Sequence, residues 1–488
     1  MLRPWKVSLS ERIDPKRELP MYLQIIQALV RDIERGRLTT GTFLPSSREL
    51  ATALGVNRKT VVLAYEDLIA QGWLASAGTR GTMVSSSLPE PDRATVEGLI
   101  PHDHATTADY RFALPPERPL ALPAGDGYKL DEGTPDGRQF PTELLARAYR
   151  SAVQRATREN RFQYRNPHGS DSLREAIATM LKSERGLSVT AANICITRGS
   201  QNGIFLAAQA LIKAGDSAIV EELTYEPAVA AFRACGADIV PVRVDEDGIN
   251  VEDVERACRR HPVRVVFLTP HHQFPTTVAL RPERRLRLLE LARQFGFAII
   301  EDDYDHEFHF ESQPLLPMAA YAPNHVIYIG SLSKLLLPAL RVGYIAAPTA
   351  VIEAIAHFVS LTDGMGNTLT EDAAAELIEN GELRRHARKV RQVYLKRRDT
   401  FAATLDATFG DLADYARPDG GLAFWLRFRR VADLDRIEER APALKIRFAA
   451  SRSFMTRASA PRGLRFGFAS LTEYEARQAL RALRSAAD

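Results

Sequence analysis

Lys334 closes the run Tyr328-Ile329-Gly330-Ser331-Leu332-Ser333-Lys334, directly after an apolar stretch, and Arg341 follows seven residues later. A partly desolvated lysine at a strand end can lose its proton and attack an aldehyde. Ser331, Ser333 and Arg341 supply donors for a phosphate. A second element is Ile299-Ile300-Glu301-Asp302-Asp303-Tyr304-Asp305. A carboxylate that closes a buried strand is costly without a cationic partner; Asp302 is the one singled out, with Tyr304 two residues on. The third element is Thr197-Arg198-Gly199-Ser200-Gln201-Asn202-Gly203. There a strand, a glycine turn and a helix start form an anion site from backbone N–H groups and the helix dipole. The first and third patterns each recur by chance in α/β proteins, so the weight lies on the three together.

Pyridoxal phosphate carries the groups these elements answer. Asp302 suits its pyridinium nitrogen, whose protonation makes the ring an electron sink. Tyr304 suits the ring hydroxyl, and the turn at Gly199 suits the phosphate.

These residues need elements to hold them. The runs Ile194–Thr197, Ser217–Val220, Val263–Leu268, Phe297–Ile300 and Val326–Ile329 are short and continuously apolar, as expected for strands covered on both faces. They alternate with helical stretches from about residue 109 onward, which predicts an α/β unit with a largely parallel sheet. The chemistry-bearing residues follow the strands, where open α/β sheets place ligands.

At 488 residues the chain is too long for one core. Its 45% hydrophobic and 26% charged residues are ordinary for a soluble globular protein. The net charge is +3, but residues 1–85 hold 12 Lys/Arg against 8 Asp/Glu, which leaves the remainder near neutral. Cys195, Cys235 and Cys258 are scattered and read as reduced thiols. With no leader-like apolar segment and no run approaching the roughly 18 residues of a membrane span, a cytoplasmic location is expected. Three blocks are predicted: a helix-patterned, mildly basic domain over 1–84, a Ser/Pro/charge-rich linker over 85–108, and a larger domain over 109–488.

In the first block, Tyr22, Leu23, Ile26, Leu29, Val30 and Ile33 mark one helix face that ends at Gly36. A short helix capped by Ser46 or Ser47 stops at Gly55, and Asn57 caps a second helix whose buried face is Val61, Val62, Tyr65, Leu68 and Ile69. Arg58, Lys59 and Thr60 then occupy the exposed first turn, the part of a helix-turn-helix that enters the major groove. Gly72 to Val84 reads as a wing with Arg80 and Gly81 at its tip.

This block resembles the winged helix of the GntR superfamily on Leu44-Pro45-Ser46-Ser47-Arg48, Leu54-Gly55-Val56, Thr60-Val61 and Gly81-Thr82. The resemblance implies that Arg48, Arg58, Thr60 and the Gly81 tip meet DNA. Residues 120–470 resemble fold-type I aminotransferases. Beside the three elements above, the matching stretches include Gly133-Thr134-Pro135-Asp136, Tyr164-Arg165-Asn166-Pro167-His168-Gly169, His272-Gln273-Phe274-Pro275 and Gly463-Leu464-Arg465-Phe466. That resemblance implies a mixed, mainly parallel large-domain sheet with a small C-terminal α/β subdomain, and pyridoxal 5'-phosphate in Schiff-base linkage to Lys334. Gly199, Ser200, Gln201, Ser331, Ser333 and Arg341 would hold the phosphate, with Tyr164 reaching in from a second subunit. Tyr225 would lie against the ring and Arg465 would bind an effector carboxylate. Thr277 and Leu223 depart from the pattern, where glycine and proline are usual.

The combination resembles the MocR/GabR subfamily, which implies a head-to-tail homodimer on a double-stranded operator. It also implies sensing of an amino compound through an external aldimine, with residual transaminase turnover left open. A working aminotransferase with an accessory DNA-binding domain is the rival reading. A cofactor-free dimerisation scaffold is disfavoured by the retained lysine, aspartate and tyrosine. His306-Glu307-Phe308-His309 lacks metal-ligand spacing with a third ligand nearby, so no metal site is expected; His102-Asp103-His104 reads as solvated. Arg384 to Arg391 reads as an exposed helix face and Trp425 as a core strand residue.

Overall fold

A computed structural model describes residues 13–14, 19–89, 111, 126–131, 133–311 and 315–487. The chain divides into two compact units, Met1–Pro115 and Pro116–Asp488. Residues 90–108 of the expected linker, with His102, Asp103 and His104, lie outside the described residues.

The smaller unit holds α1 (Met21–Glu34), α2 (Ser47–Leu54), α3 (Arg58–Ala70), β1 (Leu74–Ser76) and β2 (Thr82–Val84). The first helix ends at Glu34, short of the expected stop, with Gly36 beyond it at φ +66°. Ser46 rather than Ser47 caps α2, because Glu49 three residues on returns a bond to the Ser46 N–H and completes a capping box. Gly55 closes that helix in the left-handed region. The Asn57 side chain accepts from the Lys59 N–H and starts α3. On α3 the buried face is Val61, Ala64, Tyr65 and Leu68, while Val62 and Ile69 are half-buried. Small Ala64 lets α3 approach the core that Ile25, Leu29, Leu74 and Val84 complete. Antiparallel pairing of Leu74 with Val84 and Ser76 with Thr82 makes the wing, which turns through Gly78–Arg80.

The larger unit is built on seven strands: β3 (Ile194–Thr197), β4 (Ser217–Glu221), β5 (Asp238–Val242), β6 (Val263–Leu268), β7 (Ala298–Asp303), β8 (Val326–Ser331) and β9 (Gly343–Ala346). Their spatial order is β3-β9-β8-β7-β6-β4-β5. Only β9 runs antiparallel to its neighbours, β8 and β3; the other pairings are parallel. All four residues of β3 and all five of β4 are buried, in keeping with their continuous apolar runs. The β7 strand begins one residue later than expected and extends to Asp303, so both aspartates belong to the sheet. A second, antiparallel sheet of β10 (Ala413–Asp414), β11 (Ala423–Phe428) and β12 (Leu464–Gly467) lies in the C-terminal part. Among the described residues no helix is long and apolar enough to cross a membrane.

Candidate cofactor site and DNA-reading face

Strand register places the site. Ser331 pairs with Gly343, and Gly343 pairs with Thr197, so the ends of β8, β9 and β3 lie in line. Asp302 pairs with Ile329 on the neighbouring strands. Helix α4 (Ser200–Leu211) follows β3 through Gly199, at φ +82°. A Cβ at Gly199 would come within 3.0 Å of the Arg341 guanidinium, and one at Gly343 within 2.7 Å of the Gly199 backbone. Both positions need glycine to let three backbone segments and a guanidinium converge on the helix N-terminus. Arg341 sits in the left-handed region at φ +53°, and its Nη2 donates to the Arg198 carbonyl at 2.9 Å. The Ser331 Oγ accepts from the Ser333 N–H at 3.1 Å, whereas the Ser333 Oγ and the Gln201 Oε1 are buried without a hydrogen-bond partner. Gln201 donates its amide to the Pro227 carbonyl instead. An open cavity of about 950 Å³ lies beside this turn, lined by Arg198, Gln201, Asn202, Arg341 and Glu371 among others.

Lys334 lies three residues beyond β8 and donates from Nζ to the Gly133 carbonyl at 2.8 Å. Sequence reading assigned no role to Asp131, which builds that acceptor. Its Oδ1 accepts from the Gly133 and Thr134 N–H groups at 2.8 and 2.7 Å. Burial would raise the Asp131 carboxyl, but the Thr134 bonds and the charges of Lys334 and Lys129 hold it below its usual range. Asp302 behaves oppositely. Burial, then the neighbouring Asp303 and Asp305, push it up to about 8, with Lys334 acting the other way. Its Oδ1 is buried and has no hydrogen-bond partner.

The opposite wall is apolar. Leu223, Phe274, Trp425, Ala449, Phe454 and Ala460 form a buried cluster against which Tyr225 and Tyr304 pack. The Tyr225 ring meets Phe274 edge-on at 5.4 Å, held by its place at the start of helix α5 (Glu226–Ala234). Trp425 does sit in a core strand, as expected, but it also pairs across β11 and β12 with Arg465. Arg465 is 1% exposed. It donates to the Pro275 carbonyl at 2.7 Å, approaches the Tyr304 hydroxyl at 3.4 Å, and stacks 4.7 Å over the Phe274 ring. The Tyr304 hydroxyl donates to the His272 carbonyl at 3.0 Å. Thr277 occupies its glycine-like position at φ +64°, a costly conformation for a β-branched residue. Leu223 is buried in the apolar cluster. Tyr164 is 91% exposed in the single chain.

These residues fit pyridoxal phosphate on structural grounds. A buried carboxylate oxygen lacks a partner where a pyridinium would sit. A buried serine hydroxyl and a glycine-lined helix N-terminus beside Arg341 suit an anion. When bound, the cofactor supplies an aldehyde carbon that primary amines attack and a ring that accepts electrons. Asp302 would hold the ring nitrogen, and Lys334 would supply the amine.

In the smaller unit Arg48, Arg58, Lys59, Arg80 and Gly81 are all exposed and Thr60 is half-buried. The Arg58 Nε lies 3.3 Å from the Ser47 Oγ, which joins the first turn of α3 to the start of α2. The wing tip at Gly81 has φ +110°, a conformation open to glycine.

The chain matches the family "Aminotransferase class I and II" over residues 126–483 and "Bacterial regulatory proteins, gntR family" over residues 21–84. It is 30% identical to the probable rhizopine catabolism regulatory protein MocR of Rhizobium meliloti, covering 97% of this chain and 95% of that protein. It is 29% identical to the HTH-type pyridoxine biosynthesis transcriptional regulator PdxR of Corynebacterium glutamicum, covering 94% of each. Among solved structures it is similar to a kynurenine aminotransferase of Pyrococcus horikoshii, with a TM-score of 0.68 and 26% identity over 74% of this chain and 91% of that one. A winged helix in front of a fold-type I unit, matched nearly end to end by regulators, decides the classification. The chain belongs to the aminotransferase class I and II family and, with its gntR-family front, to the MocR type of pyridoxal-phosphate-dependent, DNA-binding transcription regulators.

Proposed function

We propose that this regulator senses a small amino compound bearing a carboxylate, and that occupancy of its cofactor site alters how it engages an operator. Residues 1–84 act as the DNA-reading domain, 85–108 as a linker and 109–488 as the cofactor and dimerisation domain, at work in the cytoplasm where duplex DNA is met. One observation carries the sensing reading. Arg465 is a fully buried guanidinium, aligned with the wall that faces Tyr304, and it donates to the Pro275 backbone carbonyl. A planar fork of that kind is suited to bidentate carboxylate capture.

The roles follow from the chain's own groups. Lys334 would supply the amine that joins the cofactor, and its Nζ donates to the Gly133 carbonyl. Asp302 would hold the ring nitrogen in its protonated form. Tyr304 would bind the ring hydroxyl, and Tyr225 would line the ring side of the site. The backbone at Gly199 and Ser200, with Gln201, Ser331, Ser333 and Arg341, holds the phosphate. Tyr164 of a second copy completes this side in a head-to-tail homodimer, a reading supported by its exposure and by the open cavity beside Gln201 and Arg341. Arg48, Arg58, Lys59, Thr60, Arg80 and Gly81 meet the duplex. A ligand shifts the regulator only as far as it binds one conformation better than the other.

Fluorescence anisotropy on the operator fragment, with a panel of amines and amino acids, tests this. An amino acid should shift operator affinity while its des-carboxy amine does not. Arg465→Lys should weaken the response about 10- to 100-fold in effector concentration, the loss of one charged fork. An Arg465→Lys protein that responds at unchanged concentrations would refute the assignment. Lys334, Asp302, Tyr304 and Arg465 are all retained, which also keeps a transaminase reading alive. With a second keto acid supplied as amino acceptor, release of many equivalents of product keto acid per chain would favour that reading, and one equivalent or fewer would favour sensing.

A further inference from the structure

Asp303 follows Asp302 on β7 and therefore projects to the other side of the sheet, away from the cofactor residues. His271 meets it from three residues beyond β6, and His306 from the turn after β7. We propose that His271, Asp303 and His306 form a buried structural site for a zinc-type divalent cation.

The geometry is that of a chelate. His271 Nδ1 lies 3.2 Å from Asp303 Oδ1, and His306 Nδ1 lies 2.9 Å from Asp303 Oδ2. One ligand atom from each residue falls within 4.8 Å of the others. Ligands bound tetrahedrally at about 2.0–2.1 Å stand roughly 3.3–3.4 Å apart. The rings are 5.1 Å apart and nearly perpendicular. All three residues are buried, and His271 Nδ1, His306 Nδ1 and Asp303 Oδ1 make no aligned hydrogen bond.

The outer contacts point the same way. His271 Nε2 is 2.6 Å from the Leu315 carbonyl. A carbonyl only accepts, so that nitrogen carries the hydrogen and the neutral ring turns its Nδ1 lone pair toward Asp303. A cation bound over the carboxylate would engage both imidazoles together. The Tyr328 hydroxyl donates to Asp303 Oδ2 at 2.6 Å and orients the carboxylate. Arg185, 4.0 Å from Asp303 Oδ2, is engaged by Glu307. Two imidazoles and one carboxylate suit zinc among the common divalent ions.

Such an ion would pin the strand end that carries Asp302 to the loop that carries Phe274 and Pro275. The test uses the full-length, cofactor-loaded protein without an affinity tag, incubated with zinc sulfate and exhaustively dialysed. Elemental analysis should find one zinc per chain. His271→Ala/His306→Ala should lose it, while His309→Ala, outside the set, should keep it. Cobalt exchanged into the wild-type chain should show the visible bands of a tetrahedral site, a readout that does not depend on a variant's folding. Wild-type protein that emerges free of zinc, with the same melting temperature in zinc and in chelator, would overturn the proposal. So would zinc retained in full by the double variant.

Discussion

The DNA-reading face and the cofactor site solve opposite problems. The first gathers Arg48, Arg58, Lys59 and Arg80 from one short stretch and leaves them exposed, where water stabilises their charge. The second draws Asp131, Asp302, Lys334 and Arg465 from positions more than three hundred residues apart and buries most of them. Proton affinities there move in opposite directions: burial raises Asp302, whereas the Thr134 bonds and two lysine charges outweigh burial and lower Asp131. A surface that attracts a polyanion needs only local helices and a turn. A pocket that tunes a ring's electronics needs the whole sheet.

If that contrast holds, changes on one side should leave the other intact. The largest effect is expected from Lys334→Ala, which should abolish covalent cofactor retention after borohydride reduction. Effector-free operator binding, read by gel shift, should stay within about twofold, the few tenths of a kcal/mol typical of distant sites. A variant that lost both together would break the separation. On the other face, Arg58→Ala should cost about 1–3 kcal/mol of operator affinity and relax sequence preference. Arg80→Ala should instead weaken all duplexes alike and reduce the salt slope by about one. Titrations at several salt concentrations distinguish the two, and cofactor absorbance should not change in either.

The smallest effect concerns pH. Asp302 and Glu221 are both pushed up to about 8 by burial, against ordinary values of about 4. Between those limits the folded, cofactor-free chain keeps protons that the unfolded chain has released. Its stability from these groups should therefore fall as pH rises from about 4 to about 8. Asp302→Asn/Glu221→Gln should flatten the melting-temperature profile across that window. A profile as steep in the double variant as in the wild type would remove these carboxyls from the account.

The same contrast explains what was legible beforehand. The winged helix could be read because its signals are sequential: Asn57 caps, Gly55 stops, and Glu49 decides between Ser46 and Ser47. The pocket could be read only where strand ends announce themselves, as at Thr197, Asp302 and Ser331. Asp131 escaped because its importance lies in the Gly133 carbonyl that it positions for a lysine some two hundred residues away. Ala64 escaped because a small residue at a helix crossing carries no hydrophobic signal. His306 was set aside for want of a third partner, and the imidazole that faces it, His271, comes from a different strand end. Long-range register, invisible in spacing, made these neighbours.

The grip of Arg465 on the Pro275 carbonyl has a consequence for selectivity. In the proposed role of Arg465, an incoming acid would have to outcompete an internal acceptor, so weak or poorly aligned anions would be filtered before any chemistry begins. Freeing that carbonyl would also withdraw a tether between the C-terminal sheet and the loop after β6. Recognition and mechanical release would then coincide in a single exchange of hydrogen bonds.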